Sequence, residues 1–184
     1  MQYVMRLFPL LILALLAGCQ TVGRNVVGID NFALVEDHDG GILRGAQPSP
    51  EGYQTLAARG VKTVINLRDD ANPGEITELH NAGIKYDLIR TSAADVRPEQ
   101  IQTFLEKLRT EPRPIFIHCR MGRDRTGLEV ACYRIVDQNW PREKAIKELY
   151  DHGYNWALYP GIERYLRTFD PAWFREATAS ASAP

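Results

Sequence analysis

Apolar positions along the chain recur in two rhythms, and their alternation sets the expected architecture. Short runs dense in Val and Ile read as strands: Val61 to Leu67, Ile84 to Ile89, and Pro114 to Ile117. Between them, apolar residues three and four apart mark helices. Tyr53, Leu56 and Ala57 share a face in a segment that Ser49 caps, Pro50 opens and Gly60 closes. Ile101, Phe104, Leu105 and Leu108 share another between Pro98 and Leu108, and Ala145, Ile146, Leu149 and Tyr150 a third after Pro141-Arg142-Glu143. Further helices are expected from about Gly74 to Ala82 and from Pro160 to Phe169. Leu128 to Val136 is apolar with few breakers, so its helix is expected to be buried. Phe32 to Val35 and Ile42 to Arg44 flank Asp37-His38-Asp39-Gly40-Gly41, a hairpin signal. Asp69 to Pro73 reads as a turn, with Asp69 and Asp70 solvated, and Thr91 to Arg97 as a loop. Strands alternating with helices predict an α/β fold, a three-layer sandwich with a mostly parallel central sheet flanked by helices. Such sheets bind ligands beyond the carboxyl ends of their strands.

The two ends fall outside this alternation. Arg6 gives a basic start, and the apolar run Leu7 to Leu16 is too short to span a bilayer as a permanent helix. It ends in Leu16-Ala17-Gly18-Cys19, which resembles a bacterial lipoprotein signal; an ordinary secretory signal or an uncleaved anchor is the competing reading. The resemblance implies cleavage before Cys19, lipid on its thiol and a domain facing the periplasm, an oxidising compartment. Gln20, where an aspartate would mark inner-membrane retention, favours the outer membrane. The expected organisation is therefore a signal peptide over 1–18, a lipidated tether over 19–31, one domain over 32–176 and a disordered tail over 177–184.

Composition narrows the functional classes. The chain has 184 residues, 45% hydrophobic and 24% charged, enough for one domain with a real core. Its net charge of -1 supplies no global field toward nucleic acid. Cys19, Cys119 and Cys132 are too few for a disulfide scaffold, and Cys132 sits in an apolar helical run as a core residue. His38, His80, His118 and His152 show no metal-ligand spacing, so neither metal nor cofactor is expected. Trp140, Trp156 and Trp173 are too dispersed for a binding platform.

The chemistry concentrates in His118-Cys119-Arg120-Met121-Gly122-Arg123-Asp124-Arg125-Thr126-Gly127. A thiol stands where a buried strand ends, and an arginine stands where a helix begins. Amides of a tight loop before a helix, together with the helix dipole, form an anion cradle and favour the nucleophilic thiolate. Arg125 offers a bidentate fork to phosphoryl oxygens, and it stands at a helix N-terminus, a disfavoured place for a cation unless an anion is present. Gly122 and Gly127 allow close backbone approach, and Thr126 brings a hydroxyl near the sulfur.

This His-Cys-x5-Arg-Thr-Gly string resembles the signature loop of the cysteine-dependent protein tyrosine phosphatase superfamily, and its ending is most similar to compact dual-specificity-like bacterial phosphatases. The resemblance extends to Leu43-Arg44-Gly45-Ala46-Gln47-Pro48 and to Val61-Lys62-Thr63-Val64-Ile65-Asn66-Leu67-Arg68, covering roughly Ile42 to Asn139. It implies a dual-specificity-phosphatase-like fold, Cys119 as nucleophile, Arg125 as phosphate clamp, and phosphate binding by Arg120, Met121, Gly122, Arg123, Asp124, Thr126 and Gly127. The superfamily draws its general acid from a loop upstream of the cysteine, where Asp95 is the best-placed aspartate; Asp124 competes for that role. His118 is expected to face away from the pocket as a hydrogen-bonding residue.

The expected function is phosphomonoester hydrolysis through a cysteinyl-phosphate in a membrane-anchored protein. The alternatives are a phosphate-recognising module without turnover and a sulfur-transfer enzyme of the rhodanese type. The latter is expected to carry a loop one residue shorter, without Arg-Thr-Gly. Three arginines within six residues lean toward inositol phosphates or phospholipids over phosphoproteins.

Overall fold

In the computed structural model, which describes residues 26–175, the Val- and Ile-rich runs pair into one sheet. Its five strands are β1 (Ala33–Glu36), β2 (Ile42–Gly45), β3 (Thr63–Asn66), β4 (Lys85–Leu88) and β5 (Ile115–His118), in the spatial order β1-β2-β5-β3-β4. The hairpin makes β1 antiparallel to β2, and the other pairings are parallel. This is the α/β sandwich expected. The expected signal peptide, Cys19 and the tail from Ala177 lie outside the described residues.

Side chains alternate across β5 and divide the core in two. Phe116 joins Tyr53 and Leu56 of α1 (Pro50–Ala58) and Leu79 of α2 (Pro73–Asn81) on one face. Ile115 and Ile117 join α3 (Pro98–Thr110), α4 (Asp124–Val136), α5 (Arg142–Asp151) and α6 (Pro160–Thr168) on the other. Every residue of α4 from Thr126 to Val136 is buried, so this helix is a second core element and not a surface helix. Gly127 makes that possible: a Cβ there would stand 2.4 Å from Leu149 Cδ1, so its missing side chain serves the contact of α4 with α5. Register places Gly45 and Asn66 both opposite His118, so β2, β5 and β3 end level and their following loops share one edge.

Three expectations are corrected. Ala57 is exposed on α1, and Tyr150 turns outward, where it packs edge-on against Tyr154 at 5.3 Å between ring centroids. The third correction matters more for the site. Residues 26–31, expected to belong to the tether, are part of the packed domain. Ile29 is 1% exposed among Phe32, Tyr53 and Leu56. Backbone bonds from Ser49 N to Gly28 O (2.9 Å) and from Ala46 N to Asp30 O (2.8 Å) lay the segment across the end of β2. Gly28 is required there: a Cβ would stand 2.2 Å from Gly52 N, and its φ is +76°.

Truncating Ile29 to Ala should therefore lower unfolding stability by about 2–5 kcal/mol, the range for a buried Ile. Val27→Ala, at a position 72% exposed, should change it by less than about 0.5 kcal/mol. Urea denaturation of the two variants side by side checks this; equal small effects would return the segment to the tether.

Candidate active site

The loop of residues 119–123 joins the buried end of β5 to α4, and its carbonyls are held from outside. Gly122 O accepts from Arg44 Nη2 at 2.8 Å and from Asn31 Nδ2 at 3.0 Å, and Arg120 O accepts from Gln47 N at 3.3 Å. In a trans peptide the N–H points opposite to the carbonyl. Fixing the oxygens of Arg120 and Gly122 outward therefore aims the amides of Met121 and Arg123 the other way, into the bowl of the loop, where they add to the helix N-terminus of α4. Gly122, with φ +67°, lies so close to β2 that a Cβ would be 2.5 Å from Gly45 C and O.

Arg44 is wholly buried beneath this loop, and burial pushes its guanidinium down to about 10, partly offset by the negative charges of Glu148 and of Cys119 as thiolate. It stays charged at neutral pH, so a fixed cation lies behind the Cys119 thiol. Cys119 itself is buried and in no disulfide. Cys132, expected as a core residue, is buried too, and burial together with Glu129 holds its thiol well above the ordinary range.

Behind β5, His118 faces α2, where its Nε2 stands 2.9 Å from Glu75 Oε1. Glu75 is buried and also accepts from Gln47 Nε2 and Asn66 Nδ2, both at 2.9 Å. Tyr53 and Tyr86 close the network through Gln47 and Asn66. Burial, with Glu75 as the next cause, holds the Tyr53 hydroxyl far above its ordinary range, so it stays protonated. His118, the residue before Cys119, is thus tied to β3, β4, α1, α2 and the loop after β2.

Arg125 rises from the first turn of α4, and its Nη1 donates to Asp69 Oδ1 at 2.8 Å. Asp69 and Asp70 are exposed, as expected of a solvated turn; Asp70 pairs within the turn with both Nε and Nη2 of Arg68 at 2.8 and 2.7 Å, and Asp69 pairs across to Arg125. The reason is non-local: β3 and β5 are neighbours ending level, so the turn after β3 stands beside the start of α4. Asp69 supplies the anion that a helix-start arginine needs, and Arg125 in turn holds Asp69 below the usual carboxylate range.

Asp124 accepts from Asn155 N at 2.8 Å, which fastens the loop between α5 and α6 to the site. Asp95 lies exposed on the loop after β4, paired with Arg97 Nε at 2.7 Å. That loop leaves the same sheet edge as Cys119 but from the second strand over. Arg120 and Arg123 are exposed at the rim, Met121 between them is exposed as well, and Thr126 is fully buried under the loop. Arg44, Gln47, Asn31, Asp69 and Glu75 carry much of this arrangement and were not among the expected site residues. Arg44 and Gln47 did stand in the upstream string carrying the resemblance. Glu75 reads in sequence as an ordinary acid in a first helical turn. Among the described residues no group of His, Cys, Asp and Glu could hold a metal ion.

A family model described as "DSP-PTPase phosphatase fused to NAD+ Kinase" matches residues 16–155. The dual specificity protein phosphatase TpbA of Pseudomonas aeruginosa is 31% identical over 116 residues, 61% of this chain and 51% of that protein. Inositol diphosphatase DSP3 of Arabidopsis thaliana is 31% identical over 125 residues, 64% of this chain and 60% of that protein. The chain thus spans about half to three fifths of these relatives' lengths. Among solved structures, the catalytic core of the PP-IP phosphatase SIW14 from S. cerevisiae superposes with a TM-score of 0.73 at 23% identity, covering 85% of this chain and 96% of that one. TpbA superposes at 0.70 and 25% identity, covering 86% and 96%.

One buried group beside the site has a measurable signature. Glu129, one turn beyond Arg125, is fully buried on α4, and its oxygens have no hydrogen bond among the described residues. Burial pushes it up to about 8, with Thr91 only weakly favouring the charged form. The unfolded carboxyl ionises near 4.5, so between there and about 8 the folded state holds one extra proton, and raising the pH favours unfolding. His152, pushed down to about 4 chiefly by burial, works in the opposite sense, but only below its ordinary value of 6.5. Above pH 6.5, stability should fall by roughly 1 kcal/mol per pH unit through Glu129, and the slope should flatten as the pH nears 8. Glu129→Gln should remove that slope, as urea denaturation across this window would reveal; parallel profiles for the two proteins would refute it.

Proposed function

Because the chain belongs to the family described as "DSP-PTPase phosphatase fused to NAD+ Kinase", we propose that it hydrolyses phosphomonoesters through a cysteinyl-phosphate. The observation that carries this reading is the placing of Cys119 at the buried end of β5, under a loop whose carbonyls are tied outward, with Arg125 on the first turn of α4. Cys119 attacks phosphorus as the thiolate and forms the S–P bond while the P–O bond to the leaving group breaks. The amides of the loop and Arg125 hold the phosphoryl oxygens, in the manner of an oxyanion hole. Asp69 takes one of the five N–H donors of Arg125 and fixes the direction of the others. Water then attacks the thiophosphate, the S–P bond breaks, and inorganic phosphate leaves.

Asp95 is assigned the proton donated to the leaving oxygen. Asp124 is bound to Asn155 N–H as a structural anchor, and Asp69 is committed to Arg125, which leaves Asp95 as the aspartate on a site-edge loop whose carboxylate, among the described residues, pairs only with the exposed Arg97. The lipoprotein-like Leu16-Ala17-Gly18-Cys19 supports a lipid anchor on Cys19 and a periplasm-facing domain, with the outer membrane favoured by Gln20.

The substrate assignment draws on the relatives, one named a dual specificity protein phosphatase and another an inositol diphosphatase. A substrate with more than one phosphate, an inositol phosphate or a phospholipid, is the reading favoured by Arg120 and Arg123. Both are exposed on the loop without a side-chain partner among the described residues.

Cys119→Ser should abolish turnover of an aryl phosphate, and retained activity would exclude the covalent route. Asp95→Asn should slow it by about 10²–10⁴-fold, the usual range for a general acid. Wild-type rates in that variant would remove Asp95 from the mechanism. Comparing phosphotyrosine peptide, inositol polyphosphate and phospholipid as substrates would decide between the classes.

A further inference from the structure

The chain enters the packed domain at the edge that carries Cys119. Residues 28–31 cross the end of β2 and reach the loop itself through Asn31 and Gly122 O. Cys19 lies seven peptide steps before Val26, a reach of at most about 25 Å even fully extended. A lipid on Cys19 would therefore hold this edge close to the bilayer.

The same edge carries large apolar side chains turned to solvent. α4 leaves the site and α5 returns to it, so the segment of residues 152–159 lies at the rim. It is fixed there by Asn155 N on Asp124 and by Gly153 against the Arg123 side chain. Trp156 is 63% exposed and Leu158 67%, and Met121 on the loop is 48% exposed. Trp156 also walls an open groove with Pro160, Glu163, Arg164 and Arg167. Around these apolar groups stand Arg120, Arg123 and Arg164, exposed and with no carboxylate partner among the described residues. Two acids beside them are already held, Asp124 by Asn155 and Glu163 by Arg167. A tryptophan with a leucine and a methionine, ringed by free arginines, is the composition that seats at the headgroup level of an anionic membrane.

We propose that this rim, Met121, Trp156 and Leu158 with Arg120, Arg123 and Arg164, docks on an anionic bilayer and turns the mouth above Cys119 toward headgroup phosphates. The proposal rests on the lipid-anchor reading. Trp156 and Leu158 sink into the interface, while the arginines pair with lipid phosphates, so the anchor and the rim bind the same membrane at once and reinforce one another.

The test uses the full lipidated chain in vesicles of phosphatidylcholine and phosphatidylglycerol, with bromine on the acyl chains as a quencher of tryptophan fluorescence. Wild type should float with the vesicles and be quenched, and Trp156→Phe should float equally but lose most of that quenching. Trp140, half-buried under Arg134 and Lys144, and Trp173, edge-on to Phe174 and 46% exposed, are present in both proteins, so the difference in quenching between them reports Trp156 alone. Unchanged aryl-phosphate turnover in Trp156→Phe would show that the fold is intact. Flotation without quenching would overturn the docked rim while leaving the anchor standing. Absence of flotation would overturn the anchor and the docking with it. Trp156 shielded from acrylamide in a cross-linked dimer would identify a second copy as the occupant, and also overturn the proposal.

Discussion

The structure depends on the outward restraint of the carbonyls in the loop after β5. A loop of free peptides would present oxygens and amides to an anion alike, and the oxygens would repel it. Here Arg44 from β2 and Asn31 from the N-terminal segment take Gly122 O, while the backbone of Gln47 takes Arg120 O. These contacts come from residues distant in sequence, so the anion cradle is a tertiary product. A buried arginine is a costly way to hold a carbonyl, because burial disfavours its charge. The same charge lies behind the thiol, which gives Arg44 a purpose that a neutral donor would not serve.

A second set of constraints runs under the sheet. His118 is held by Glu75, and Glu75 by Gln47 and Asn66, so the strand end cannot shift without breaking several buried polar contacts together. Gln47 also binds Arg68 at 3.3 Å, which connects this network to the turn that carries Asp69. The clamp on Arg125 and the seat of His118 are therefore coupled through the loops that follow β2 and β3.

Much of the fold was legible because its strands are short, apolar and β-branched, and its helices open on Ser49, Asn72 or proline. Element ends differ from expectation by one or two residues, except that α4 begins at Asp124, four residues before its apolar run at Leu128. The misreadings share a cause. Ala57 and Tyr150 fit a helical period, yet the partner face stops short of them. Residues 26–31 carry Gly28, Asp30 and Asn31, a polar signature of linker, and only contact with α1 and the loop shows that they pack. Glu75 is an acid in a first helical turn, where solvent exposure is the default, yet it is buried; Asp69 is exposed as expected of a turn, and only its pairing was not legible. Their partners lie 56 residues away at Arg125 and far along the chain at His118. Sequence spacing brings Cys119 and Arg125 into one loop because they are local, and it missed the groups that hold that loop because those are not.

The two buried thiols of the described residues lie on either side of the start of α4. Cys119 precedes the helix by five residues, and Cys132 lies in its third turn, about 12 Å along the axis from Asp124 at 1.5 Å per residue. A sulfenic acid formed on Cys119 would have no second thiol of this domain near enough to close a disulfide and spare it from further, irreversible oxidation. Burial of the sulfur beneath the loop is then its defence as well as its electrostatic setting. Any loosening of Arg44 or Asn31 would shorten the working life of the thiol, and not only weaken its hold on an anion.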